Sequence, residues 1–116
     1  MKVFYTKHLP VKGFKAINLF GFVFARREFY PIKKDVLRHE AIHTRQILET
    51  LIIGFYVWYI IEWLIRWMQY KNPSLAYRNI CFEREAYAYD QSMDYLQRRP
   101  LWNFIKFLKK EQGSNL

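Results

Sequence analysis

Between Phe14 and Tyr30 the segment FKAINLFGFVFARREFY sets Phe, Ile, Leu and Val on both sides of Gly21, which predicts two short strands meeting at or near that glycine. Pro31 breaks the pattern, and Asp35 stands where an N-cap or first-turn acid opens a helix. From Asp35 to Lys71 there is no proline and one glycine, Gly54. That run is one very long helix or two that part near Gly54, and two are expected. KNPS at 71–74 ends the run and starts another helix, roughly Leu75 to Gln97, before Pro100 opens a last short amphipathic one. No repeat, low-complexity tract or linker divides the chain. The expected architecture is α+β, mainly α: a short N-terminal β-hairpin followed by about four helices in a single domain, 1–116.

The apolar run LIIGFYVWYII, 51–61, carries no charge and is followed by Glu62 and Arg66, which are spaced i, i+4 and can pair. Its length suits a core helix better than a membrane span, which takes about 20 residues. Tyr56, Trp58, Tyr59, Trp63 and Trp67 are nonetheless the rings that favour a membrane interface, and LWNFIKFLKK near the C-terminus reads as a surface-lying amphipathic helix. Core packing is expected for both, with peripheral membrane association as the alternative.

Composition narrows the classes further. With 52% hydrophobic and 20% aromatic residues the chain is well outside the disordered class. Cys81 has no second cysteine to pair with, and the N-terminus reads without a secretory signal, so the expected location is the cytoplasm, or peripherally the inner face of the membrane. The net charge of +9 admits nucleic acid, an anionic membrane or an acidic substrate as partners. Its basic pairs, Arg26-Arg27, Lys33-Lys34, Arg98-Arg99 and Lys109-Lys110, are scattered and match no nucleic-acid module, so no nucleic-acid partner is expected.

The candidate chemistry lies in RHEAIHTRQ, 38–46. On a helix, i and i+4 share a face, so His39 and His43 can offer two imidazole nitrogens to one ion. Glu40 lies about 100° round from His39, where its carboxylate can reach a metal-held water as general base without binding the metal. Chance alone puts H-E-x-x-H in about a few chains per thousand of this length. A catalytic zinc needs a third protein ligand and an open fourth position. Downstream, NICFEREAYAYD supplies Glu83, with the small Ala86 one turn on to let two helices approach closely, and Glu85, which also begins an E-x-x-A. The two glutamates are about 200° apart on a helix and cannot both face the metal.

H-E-A-I-H followed by a helix bearing F-E-R-E-A-Y resembles the gluzincin class of zinc metallopeptidases, which includes thermolysin and the membrane-associated HtpX and CAAX-protease type. The resemblance implies a minimal zincin-like core, Zn2+ held by His39, His43 and Glu83, Glu40 as base, and a peptide or protein as substrate. The chain is also similar, over most of its length, to small bacterial proteins carrying H-E-x-x-H-x-x-Q and F-E-R-E-A-Y, a likeness that brings no activity with it. Where the peptidases carry an aspartate to orient a ligating histidine, this chain has Tyr87; Asp90, one turn on, is the substitute at hand. Glu85, Tyr87 and Asp90 thus stand as an alternative ligand or as groups that orient the ligands. Tyr87, Tyr89 and Arg84 are the nearby candidates for an oxyanion donor. Two functions follow: a zinc-dependent hydrolase, most naturally a peptidase, or a non-catalytic metal-binding or membrane-surface module whose H-E-x-x-H is structural.

Overall fold

The computed structural model describes residues 3–10 and 12–108, so Lys109-Lys110 lie outside the described residues. Three short strands, β1 (Val3–Thr6), β2 (Ala16–Leu19) and β3 (Phe22–Arg26), form a sheet in the order β1-β3-β2. The expected hairpin is the antiparallel β2–β3 pair, closed by Phe20 and Gly21 between the partners Leu19 and Phe22. Both loop residues have positive φ, 56° and 95°, as a two-residue hairpin turn requires. β1 was not expected from the apolar pattern: four residues long and next to Lys7, it gains its place by parallel pairing with β3, from Val3↔Val23 to Thr6↔Arg26. β2 is left as an edge strand and packs against the first helix.

The long run does divide into two helices, α1 (Lys34–Glu49) and α2 (Ile53–Tyr70), bent by 109°. The break falls at Thr50–Ile52, with Leu51 and Ile52 both left-handed at φ 59° and 65°, while Gly54 sits inside α2 against Thr50. The single helix expected over Leu75–Gln97 is a correction: it is α3 (Pro73–Arg78), α4 (Cys81–Tyr89) and α5 (Tyr95–Arg98). Asn72 caps α3 by accepting from the Ser74 and Leu75 amides, with Pro73 in the first turn. Asn79 then ends it, since its side chain donates to Leu75 O and accepts from Arg84, local bonds that compete with helix continuation. The last segment, Asn103–Phe107, is a 3₁₀ turn in place of the amphipathic α-helix expected.

Two apolar clusters hold these pieces together. Ile42 of α1, Ala86 of α4 and Tyr95 form one, and the full burial of Ala86 is what allows the α1 and α4 backbones to approach. Ile47, Phe55, Ile80, Cys81, Phe82 and Phe104 form the other, roofed by the inner rings of α2. Glu62 and Arg66 pair as expected, but inside the protein, with Glu62 also accepting from the Cys81 amide. Core packing accounts for only this side of α2. On its other side Val57, Ile60, Ile61, Leu64 and Ile65 are 47–57% exposed and Met68 is 77% exposed.

Candidate metal centre

α1 carries His39, Glu40 and His43, all buried, on the side facing α4. α4 starts two residues before Glu83, so Glu83 sits in its first turn, directed at α1. The two imidazole Nε2 atoms lie 3.1 Å (His39) and 3.2 Å (His43) from the same oxygen, Glu83 Oε1. His39, His43 and Glu83 form a buried group whose donor atoms are within 4.8 Å of one another and which could hold a metal ion.

The partners of the outer ring nitrogens decide what the inner ones carry. His39 Nδ1 is 3.1 Å from Asp90 Oδ2, a carboxylate that only accepts, so this nitrogen bears the proton. His43 Nδ1 is 2.7 Å from Gln46 Oε1. The Gln46 amide cannot be turned the other way, because its Nε2 donates to Phe82 O and to Glu85 Oε1, both acceptors. His43 Nδ1 is therefore the protonated nitrogen too. Two neutral imidazoles would then aim bare Nε2 lone pairs at a carboxylate oxygen, three acceptors with nothing between them. A cation, either a proton on an imidazole or a metal ion, has to resolve that convergence. Tyr59 donates to the other oxygen of Glu83 at 2.7 Å and holds the carboxylate in place.

The electrostatics follow the same geometry. Burial works against a charge on His43, but the Glu83 carboxylate, its hydrogen bond and Glu40 outweigh it and push the imidazole up to about 9. Burial likewise raises Glu83, and the His43 charge with hydrogen bonds from His39 and His43 overcomes it, leaving the carboxyl well below its usual range. Burial pushes Glu40 above the ordinary carboxylate range, the two histidines opposing it only in part. Among the described residues the Glu40 carboxylate takes no hydrogen bond, and it faces open space on both sides. One compartment, about 380 Å³, is apolar and includes Leu9, Phe14, Ile17, Phe55 and Tyr59. The other, about 310 Å³, holds Lys15, Asp35, Tyr87 and Asp90. Ala16 of the β2 edge and Tyr77 of α3 border both.

The remaining sequence candidates separate cleanly. Glu85 points away from the histidines: Arg99 and Tyr95 donate to it, and Arg99 also grips Glu49, all of these side chains buried. Glu85 thus acts on the cluster only through Gln46. Asp90 takes the orienting position beside His39, and Arg38 holds the Asp90 carbonyl. Tyr87 packs edge-on against His39, ring centres 4.5 Å apart, with its hydroxyl 3.0 Å from that of Tyr77. Tyr89 stacks on Tyr95, and Arg84 is engaged with Asn79, Tyr70 and the Phe107 carbonyl, so neither faces the cleft. Burial, with Glu83 nearby, raises the Tyr77 hydroxyl far above the ordinary phenol range, which keeps it a donor.

Four residues escaped sequence reasoning. Asn18 donates to the Glu40 carbonyl and to Thr44, and accepts from the Gly21 amide, clamping the hairpin to α1. Tyr59, Tyr77 and Arg99 reach the site from segments with no local pattern marking them. Gln46 did carry a signal, one helical turn beyond His43. Among known proteins, no family model, no curated protein and no solved structure matches the chain.

Proposed function

We propose that this chain is a minimal zinc-dependent metallohydrolase, a peptidase by the character of its cleft, with His39, His43 and Glu83 as ligands and Glu40 as general base. The observation carrying the proposal is the convergence on one carboxylate oxygen of two imidazole nitrogens that their outer partners leave as acceptors. A tetrahedral ion bound at about 2.0–2.1 Å sets its donor atoms roughly 3.3 Å apart, close to the 3.1 and 3.2 Å between the imidazole nitrogens and Glu83 Oε1. Two histidines and one carboxylate are a catalytic donor set, leaving a coordination position open, whereas structural sites are closed by four protein ligands.

Zinc, when bound, supplies Lewis acidity that brings the pKa of water to about 7. The chain's own groups account for the rest. Glu40, unbonded and raised by burial, takes the proton from the attacking water and passes it to the leaving amine. Tyr77, held protonated and bordering both compartments, is the donor available to a developing oxyanion. The β2 edge along the cleft suits an extended peptide backbone, and the apolar compartment suits a bulky apolar side chain beside the scissile bond.

The test is metal content of tag-free protein by elemental mass spectrometry. About one zinc per chain in wild type, retained in Glu85→Gln and lost in Glu83→Ala, supports the site. No zinc in wild type after it has been offered and the excess removed ends the proposal. Zinc retained without hydrolysis of any peptide in a mixed library would leave a metal-binding module.

A further inference from the structure

α2 is an amphipathic helix turned inside out. Its two charges, Glu62 and Arg66, are buried against protein, while Ile53, Val57, Ile60, Ile61, Leu64 and Ile65 are 47–66% exposed. At about 100° per residue these six lie within an arc of about 140°, centred about 150° from the charged pair. An apolar strip this long is not the scattered exposure normal on a soluble monomer. The strip continues at the α1–α2 corner, where Leu48 is 62% and Leu51 84% exposed.

A second observation is independent of α2. Of the five described non-glycine residues with positive φ, four are exposed apolar ones: Phe20, Leu51, Ile52 and Trp102. Folding in water favours Gly, Asn or Asp in that conformation, and a β-branched Ile is strained there. Phe20 and Trp102 each contact the α1–α2 unit. The Phe20 ring lies 5.0 Å from that of Tyr56 on α2, and the Trp102 amide donates to Glu49 at the end of α1. Large apolar side chains are therefore held out at tight turns where folding alone does not call for them.

We propose that this face is a docking surface for an anionic lipid bilayer, with α2 lying in the plane of the interface and the turns at Phe20, Leu51 and Trp102 inserted beside it. Among the described residues no single helix is long and apolar enough to cross a membrane, and the one pair that passes by length and composition together, α1 with α2, is bent by 109°. Charge chooses lipid over a second copy of this chain. Exposed cations flank the strip along the chain, Arg45 one turn before Leu48 and Lys71 directly after α2. They match anionic headgroups. Two chains of net charge +9 repel each other, and α2 lacks the flanking charges that select a helical partner. The surface also adjoins the cleft. A cavity of about 350 Å³ bordered by Ile60 of the strip shares Phe14, Tyr59 and Tyr77 with the compartment beside His39 and Glu83. A docked chain opens that compartment near the headgroups, and the docking surface stands whether or not the cleft is catalytic.

The test is flotation of the full chain, synthesised cell-free in the presence of vesicles, with phosphatidylcholine alone and with phosphatidylglycerol added. Wild type is expected to float with the phosphatidylglycerol vesicles and to lose part of that binding as salt rises. Ile61→Gln with Ile65→Gln should lower the partition coefficient by roughly tenfold or more. Phe20→Asn, which suits the left-handed turn better than phenylalanine does, should lower binding several-fold while unfolding no earlier in urea. Wild type staying at the bottom of the gradient with both vesicles at low salt overturns the proposal. So does a dimer in vesicle-free buffer that the double variant dissolves without any flotation of the wild type, which would assign the face to a second copy. Equal flotation with both vesicle types overturns the preference for anionic lipid.

Discussion

Replacing Gln46 with leucine tests whether the candidate centre is held together from behind. The substitution nearly conserves volume but removes three interactions: the acceptor for His43 Nδ1 at 2.7 Å, and the donors to Phe82 O at 3.0 Å and to Glu85 Oε1 at 2.9 Å. Gln46 is fully buried, so water cannot take over these roles. Leaving buried polar partners unsatisfied costs about 1–3 kcal/mol each. Glu85 keeps Tyr95 and Arg99 and His43 retains some freedom to turn, so an overall loss of about 2–4 kcal/mol in urea unfolding is expected. Metal affinity should fall separately, by about 10- to 100-fold, because His43 loses the bond that fixes its tautomer and ring plane. Competition against a chelating dye at constant pH measures that fall, with folding checked in the same samples. A Gln46→Leu protein that is destabilised yet binds zinc as tightly as wild type would refute the account of His43 given above.

Three further outcomes are expected. Glu40→Gln should keep one metal per chain and lose about 100-fold or more in peptide hydrolysis, read from parallel metal and rate measurements. In chelator-treated protein His43 is raised to about 9. Its protonation stabilises the fold fully below its unfolded value of about 6.5, and that stability is lost as pH rises toward 9. With saturating zinc the ligands must be deprotonated, so protection by the metal should grow with pH over the same window; urea midpoints across the range, with and without zinc, check both signs. Arg99→Met should cost about 3–5 kcal/mol in urea unfolding, because Glu85 and Glu49 lose the guanidinium between them inside the protein.

Local signals made part of this molecule legible in advance. The apolar run around Gly21 marks the β2–β3 hairpin, and the lack of any breaker before Gly54 marks α1 and α2. The i, i+4 spacing of His39 and His43 is enough to place them on one helix face. The same helical period shows that Glu83 and Glu85 must part company, but not which one meets the histidines. That choice depends on Arg99 and Tyr95, which take Glu85 from segments 14 and 10 residues further along. Asn79 breaks the expected third helix without proline or glycine, through side-chain bonds that become apparent only once Arg84 is placed. β1 exists because β3 is beside it, and Asn18 matters because Glu40 and Thr44 come to lie 22 and 26 residues away across a fold boundary. Apart from Asn79, whose partners are local, each omission is a long-range partner with no periodic trace.

The chain of contacts from His43 through Gln46, Glu85 and Arg99 returns to Glu49, the last residue of the helix on which it began. A ring closed in this way holds the outer side of His43 through the protein's own hydrogen bonds. Small zinc domains that fold only around their metal stay unfolded until an ion completes them. A site whose donors are held by other side chains lacks that coupling. If the site holds a metal as proposed, divalent copper, which outranks zinc at nitrogen and oxygen donors, would be favoured by affinity alone. On the proposed reading, which ion such a site takes is then decided by what is on offer when the chain leaves the ribosome.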